Sequence, residues 1–89
     1  MSEENYSIEF LRTALKELSK LPKDVQQRIA TKIEELKTNP YPPGIKALKN
    51  GDGRLRFRVG DYRVIYRVEE DKLVILIVKV GHRRNVYKS

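Results

Sequence analysis

The sequence predicts an α+β domain with two layers, in which a pair of helices covers one face of a single sheet. Three observations lead to this class. Residues 11–36 space their apolar side chains by threes and fours, as amphipathic helices do. Residues 54–80 alternate charged and apolar side chains or run nearly continuously apolar, as strands do. A chain of 89 residues supports one small core, so residues 1–89 are predicted to form a single domain.

The N-terminal half is predicted to contain a strand and two helices. The strand is indicated by Tyr6, Ile8 and Phe10, which alternate with polar residues. The first helix has an apolar stripe at Leu11, Ala14, Leu15, Leu18 and Leu21. Pro22 ends this helix and opens a second helix near its first position, with the apolar stripe Val25, Ile29, Ile33 and Leu36. The short join between the helices predicts an antiparallel hairpin.

The C-terminal half is predicted to be a three-stranded antiparallel meander, with the N-terminal strand added to its sheet. A turn-rich connection, Tyr41 to Gly53, precedes the meander and contains one apolar anchor at residues 45–48. Gly60-Asp61 is a two-residue hairpin signal, and residues 69–71 turn the chain again. Residues 72–80 are nearly all β-branched or Leu, which predicts a central strand buried on both faces.

Charge is distributed unevenly along this strongly basic chain. The formal net charge is +7, and residues 1–44 are balanced with seven basic and seven acidic side chains, so residues 45–89 carry the whole excess. An excess confined to half of the chain is typical of a surface for a polyanion, although such a half can also serve an acidic protein partner.

Composition excludes several classes of protein. The chain has no Cys and one His, so it predicts no disulfide framework, no thiolate or zinc site and no cofactor. Its first five residues are polar and acidic where a secretory signal is basic and then apolar, and the apolar run of residues 73–78 is too short to span a bilayer. We therefore expect a cytoplasmic protein without a membrane or metal partner.

The Gly60-Asp61 turn fixes the register of the hairpin around it, because a two-residue turn pairs the residues on either side. Val59 then pairs with Tyr62, and alternation places the apolar residues on the helix side of the sheet. The opposite face carries a set that we call the arginine face: Arg54, Arg56, Arg58, Arg63 and Arg67, around Ile65.

The arginine face has two interpretations. A solvated face kept soluble by charge would mix Lys, Glu and Thr, whereas this face repeats the residue whose planar fork matches phosphate. Two of its predicted cross-strand pairs place Arg opposite Arg, which costs up to about 1 kcal/mol each. An anion-binding face is therefore favoured over a solvated one.

The C-terminal tail adds a second group of candidates. Gly81 is predicted to end the last strand, so that His82, Arg83, Arg84 and Tyr87 emerge at the sheet edge near the arginine face. Cleavage of RNA without a metal requires a base, an acid and cations that stabilise charge on the phosphate. The arginines can supply the charge, and His82 or Tyr87 can transfer protons or stack on a nucleobase.

Two segments together resemble the RelE/ParE superfamily of bacterial and archaeal toxins, and its RelE branch in particular. They are the hairpin from Leu55 to Tyr66 and the tail Val80-Gly81-His82-Arg83-Arg84-Asn85-Val86-Tyr87. The likeness extends over essentially the whole chain and includes the Leu21-Pro22 join and the Asn39-Pro40-Tyr41-Pro42-Pro43 loop.

The resemblance implies a toxin of a type II toxin–antitoxin system that enters the ribosomal A site and cuts mRNA by attack of the 2′-OH. It implies as partners the ribosome, mRNA and an acidic, partly disordered RelB-like antitoxin. The family's active-site positions fall on Arg54, Arg56, Arg63, Arg83 and Tyr87; RelE has Lys at the first two. Because Arg does not lose its proton, the general base is predicted to be Tyr87 or His82. We assign catalysis to Arg56, Arg63, Arg83, Tyr87 and His82, and RNA or ribosome binding to Arg54, Arg58, Arg67 and Arg84.

Two other functions remain open at this stage. A member of the same superfamily can act as a ParE-like inhibitor of DNA gyrase, which predicts DNA damage with intact mRNA. An RNA-binding module without activity predicts salt-sensitive RNA binding and no growth arrest on expression.

Overall fold

The structure is a computed structural model, and it describes residues 5–47 and 53–82. Within these ranges the elements follow the order strand, two helices, four strands. They are β1 (Ser7–Phe10), α1 (Arg12–Ser19), α2 (Lys23–Leu36), β2 (Lys46–Ala47), β3 (Leu55–Val59), β4 (Tyr62–Glu69) and β5 (Val74–His82). The predicted α+β class, the helical hairpin and the meander are confirmed.

One mixed sheet with the strand order β1-β5-β4-β3-β2 is formed by the described residues. The meander β3-β4-β5 is antiparallel, whereas β1 pairs in parallel with β5, from Ser7 opposite Val74 to Phe10 opposite Ile77. Strand β2 was not predicted. It lies in the connection that the sequence indicated as a loop and adds a fifth strand beside β3. Of the predicted anchor, Ile45 packs against the core, and Leu48 lies outside the described residues.

Two helices joined by residues 20–22 cover the sheet. Pro22 is the residue immediately before α2, with φ −56° and ψ 149°, so its missing N–H breaks no helical hydrogen bond. The Gln26 side chain of α2 donates hydrogen bonds to the carbonyl oxygens of Ser19 (3.3 Å) and Leu21 (2.9 Å). This amide therefore satisfies carbonyls at the end of α1 and ties the two helices together.

The first helix is shorter and less buried than its sequence predicted. It ends at Ser19, so Leu21 falls in the turn, and Ala14 is its buried residue. Leu11 and Leu15 are 41% and 52% exposed. Only part of the apolar stripe of α1 therefore packs against the sheet, and the rest is exposed.

The hydrophobic core lies between α2 and the helix-side face of the sheet. All four residues of the predicted α2 stripe are buried there. Each buried apolar side chain of this size contributes roughly 1.5–3 kcal/mol to folding. The sheet contributes the following buried residues: Phe57, Val59, Val64, Tyr66, Ile75, Ile77 and Val80.

Strand β5 is central, between β1 and β4, as predicted, but the expectation of burial on both faces is wrong. Ile75, Ile77 and Val80 are buried on the helix side, whereas the other apolar residues of β5 are half-buried because no element among residues 5–47 and 53–82 forms a second layer on the opposite face. The pairing of β4 with β5 shifts register between Ile65 and Tyr66, which indicates a β-bulge.

Candidate nucleic-acid interface

The hairpin that carries the arginine face has the predicted register at every paired position. Gly60, at the turn, has φ +58°, a conformation that favours glycine, and Val59 lies opposite Tyr62. The ladder continues through Arg58 opposite Arg63 to Leu55 opposite Tyr66. Arg54 immediately precedes β3, so its predicted pairing with Arg67 falls outside the ladder.

The five residues of the arginine face differ in exposure. Arg54, Arg58 and Arg67 are exposed, Arg56 is half-buried, and Arg63 is buried, with 9% of its surface accessible. Ile65, on the same face, is also buried, with 6% accessible. The arginine face therefore combines one buried arginine and one half-buried arginine with three exposed ones.

A cleft of about 230 Å³ opens on this face, and we call it the arginine cleft. The described residues that line it are Gly44, Lys46, Arg56, Phe57, Arg58 and Arg63. It brings together three of the predicted site arginines, whereas Arg54 and Arg67 are not among its lining residues. Of these described residues, four are cationic and none is acidic, so this part of the cleft favours an anion.

Sequence reasoning missed Gly44 and Lys46. They belong to the segment in which β2 pairs with β3, with Lys46 opposite Arg56 and Ala47 opposite Leu55. The alternation of Ile45, Lys46 and Ala47 after Pro42-Pro43-Gly44 was the available signal, but two residues are too few to indicate a strand.

The structure does not bring His82 into the arginine cleft. Paired residues of antiparallel strands share a face, and His82 lies opposite Tyr62 on the helix side. The two rings pack edge to face, with centroids 5.6 Å apart and an interplanar angle of 77°. His82 lines a separate cleft with Glu17 of α1 and Lys79. The remaining predicted site residues, Arg83, Arg84 and Tyr87, lie outside the described residues.

Glu17 of α1 contacts the C-terminal end of β5 at two points. One carboxylate oxygen accepts a hydrogen bond from the Val80 backbone N–H (2.9 Å), and the other lies 3.2 Å from Lys79 Nζ. Strand β1 pairs with β5 as far as Ile77, so this carboxylate satisfies a backbone donor beyond the end of β1. Glu17 thereby fixes the course of β5 toward Gly81 and His82.

The loop before β2 is attached to the sheet by two tyrosines. Tyr66 is fully buried and donates a hydrogen bond to the Pro40 carbonyl oxygen (2.7 Å), and burial raises its pKa far above the usual value. Tyr41 donates a hydrogen bond to Glu70, which, together with some desolvation, raises the pKa of Tyr41 to about 12. Both hydroxyls therefore remain protonated at neutral pH and keep the loop beside the sheet.

Two features are absent from the part of the chain that the structure describes, a membrane-spanning helix and a metal-binding cluster. Within residues 5–47 and 53–82, neither helix has the length and apolar character needed to cross a bilayer. In the same ranges, no three side chains of His, Cys, Asp or Glu are grouped so that they could hold a metal ion.

Comparison with known proteins places the chain in a family. Residues 8–87 match the profile of the ParE toxin of the type II toxin–antitoxin system parDE. Toxin RelE1 of Methanocaldococcus jannaschii is 38% identical over 87 residues, which cover 94% of this chain and 97% of that protein. The mRNA interferase toxin RelE of Escherichia coli is 30% identical over 79 residues, which cover 88% of this chain and 83% of that toxin.

Solved structures share the fold as well. The archaeal RelE–RelB complex from Pyrococcus horikoshii contains a chain with a TM-score of 0.79 and 30% identity; the match covers 91% of this chain and 98% of that one. The chain belongs to the RelE/ParE superfamily of toxins from type II toxin–antitoxin systems. Within that superfamily several of its relatives and structural neighbours carry the name RelE, the branch that the hairpin and tail motifs predicted.

Proposed function

We propose that this toxin is a ribosome-dependent endoribonuclease that cuts mRNA in the A-site codon and so inhibits translation. The observation that carries the proposal is the arginine cleft, in which Arg63 is buried, Arg56 and Arg58 lie beside it, and none of the described lining residues is acidic. The name mRNA interferase, which the E. coli relative bears, supports the same reaction.

The proposed reaction is an internal transfer of the phosphate. The 2′-oxygen attacks the adjacent phosphorus as a base removes its proton, and the bond to the 5′-oxygen breaks as an acid donates a proton to that oxygen. The products are a 2′,3′-cyclic phosphate and a 5′-hydroxyl, and no cofactor is consumed. Cations aimed at the phosphate stabilise the negative charge that develops in the transition state.

The residues divide these tasks by chemistry. Arg63 and Arg83 are assigned to the scissile phosphate, because a guanidinium donates two parallel hydrogen bonds to it. Arg56 and Arg54 position the phosphate, and the outer contacts to RNA or the ribosome fall to Arg58, Arg67 and Arg84. The position of His82 on the helix side supports Tyr87 as the base or acid, with stacking on a nucleobase as its other task.

Primer extension on mRNA from translating ribosomes tests the proposal. Purified wild-type protein is expected to produce cuts within the A-site codon. Arg63→Gln should lower the cleavage rate about 100-fold, as is usual for the loss of one donor to a developing negative charge. Arg12→Gln is the control, because it removes the same charge from an exposed position on α1, and it should cut at the wild-type rate. Undiminished cutting by Arg63→Gln, Arg83→Ala and Tyr87→Phe would contradict the assignment.

A ParE-like inhibition of DNA gyrase is the second candidate, favoured by the family profile that the chain matches. It predicts gyrase-dependent DNA damage in cells whose mRNA stays intact. The same cultures therefore separate the two activities when DNA breaks and mRNA ends are both mapped after expression.

We also propose an acidic, partly disordered RelB-like antitoxin as the partner, acting in the cytoplasm where ribosomes lie. The net charge of +7 and the RelE–RelB complex from P. horikoshii support this partner. Expression of the toxin with an acidic protein encoded beside its gene should yield a stable complex that no longer cuts mRNA. Separate elution of the two proteins at low salt would contradict it.

A further inference from the structure

Lys46 extends the cationic surface beyond the hairpin that the arginines occupy. In the β2–β3 ladder it lies directly opposite Arg56, and directly paired residues in antiparallel strands project from the same face. Lys46 accordingly lines the arginine cleft together with Arg56, Arg58 and Arg63. The cations of the cleft thus come from three adjacent strands, β2, β3 and β4.

The fold holds this lysine in place from both sides of the loop. Upstream, the Pro40 carbonyl is bonded to buried Tyr66, and the Ile45 N–H donates to the Pro42 carbonyl (3.3 Å). Gly44, which lies between Pro42 and Ile45, turns the chain with φ +90°. Downstream, the ladder with β3 fixes the strand. Lys46 is therefore attached to a backbone whose position the core determines.

The cationic residues of the cleft lie on three neighbouring strands. Because neighbouring strands are about 4.8 Å apart, the backbones that carry these cations span roughly 10 Å from β4 to β2. Arg63 lies at the buried end of this span and Lys46 at the exposed end. Among residues 5–47 and 53–82, no carboxylate forms an ion pair with Lys46. Its ammonium group is thus available to a ligand.

We propose that Lys46 binds a backbone phosphate of the RNA substrate, next to the phosphate that Arg56 and Arg63 hold. The inference rests on the proposed function, since it assigns a further substrate contact to the same cleft. An exposed ammonium on a flexible stem acts as a point charge toward phosphate, and the position requires positive charge rather than a particular donor geometry.

The direct test measures binding without cleavage. The probe is a ribosome programmed with mRNA whose A-site codon carries 2′-O-methyl groups, which block the attacking oxygen. Lys46→Ala should weaken binding about fivefold at 0.1 M salt and lower the slope of log K against log salt by about 0.7, the value for one contact to a single strand. Lys46→Arg keeps the charge and should bind within about twofold of wild type.

A matched control and a second probe make the outcomes distinct. Lys23→Ala removes the same charge from the start of α2, in the helical layer, and should bind as wild type does. A short single-stranded 2′-O-methyl RNA is titrated in parallel. The wild-type protein could bind this RNA with the predicted dependence on Lys46 and yet not bind the programmed ribosome. In that case the proposed dependence on the ribosome is wrong, and the proposed contact between Lys46 and a phosphate is supported.

Three results would overturn the inference itself. Lys46→Ala could bind both probes with the wild-type affinity and salt slope, which would show that Lys46 makes no contact with a phosphate. Lys46→Arg could be as defective as Lys46→Ala, which would show that charge is not what the position supplies. Wild type could bind neither probe, in which case the inference and the proposed function fail together.

Discussion

Arg58 and Arg63 lie directly opposite each other across the β3–β4 hairpin, one exposed and the other buried. Like charges in this arrangement are destabilising, because the two side chains share one face at close range. A strand pair selected for stability alone would place an opposite charge or an apolar residue at one of these positions. The pair is therefore consistent with the anionic ligand that we propose for this face.

Replacement of the exposed member of this pair should separate stability from binding. Arg58→Thr is expected to raise the free energy of unfolding by some tenths to about 1 kcal/mol, because it removes the repulsion and places a β-branched residue in a strand. Urea denaturation measures this change, and RNA cleavage should fall in the same variant. Arg58→Lys is the control, since it keeps a positive charge opposite Arg63; an equal gain there would mean that repulsion is not the cause.

Gly44 should matter for both the turn and the cleft. Its φ of +90° is strained for any other residue, so Gly44→Ala should lower the free energy of unfolding by about 1–2 kcal/mol and displace Lys46. Gly53→Ala introduces the same strain at φ +81° outside the cleft lining. We expect similar losses of stability in both variants and weaker RNA binding in Gly44→Ala alone. Equal binding would show that the turn does not position the cleft.

Glu17 should stabilise the end of β5. Glu17→Ala removes the acceptor for the Val80 N–H and the partner of Lys79, at an expected cost of about 1–3 kcal/mol. Glu17→Gln keeps an acceptor and should cost less. Hydrogen exchange at the Val80 amide should accelerate in Glu17→Ala. Glu34→Ala breaks an exposed pair with Lys37 and should change stability by less than about 1 kcal/mol; a loss as large as that of Glu17→Ala would count against this account.

Tyr66 should make the protein sensitive to alkali. Burial raises its pKa in the folded state above the usual 10.0, so the unfolded chain loses this proton first as pH rises. Its contribution to stability is complete below pH 10 and is lost progressively above it. Tyr66→Phe should lower stability by about 1–3 kcal/mol at neutral pH, because the Pro40 carbonyl loses its donor.

The same variant should also decline less steeply in stability above pH 10, as urea denaturation at several pH values would show. Thr31→Val is the control, because it removes a hydroxyl that does not ionise, and it should keep the wild-type slope. If Tyr66→Phe and wild type lose stability in parallel above pH 10, ionisation of Tyr66 is not the cause.

The register of the β3–β4 hairpin was predictable from the local sequence alone. Gly60 and Asp61 form a two-residue turn, and such a turn leaves one possible pairing for the strands that it joins. The opposition of Arg58 and Arg63 followed from that pairing and from the alternation of side chains. The stripe of α2 was equally predictable, because one helix packing on one sheet buries the residues that recur along one side.

Other features depended on partners distant in the sequence. His82 was expected near the arginines, but its face depends on the pairing of β5 with β4 and on the bulge within that pairing. Leu15 belongs to an apolar stripe and is nevertheless half exposed, because only part of α1 contacts the sheet.

The sequence by itself determined the α+β class, the family and the composition of the arginine face, since these depend on periodicity, turn chemistry and local motifs. Tertiary structure decided that Arg63 is buried, that His82 faces the helices and that Lys46 joins the cleft. A two-residue strand such as β2 has no stability of its own and exists because β3 offers it hydrogen-bonding partners. Its contribution to the site could therefore emerge only from the folded sheet.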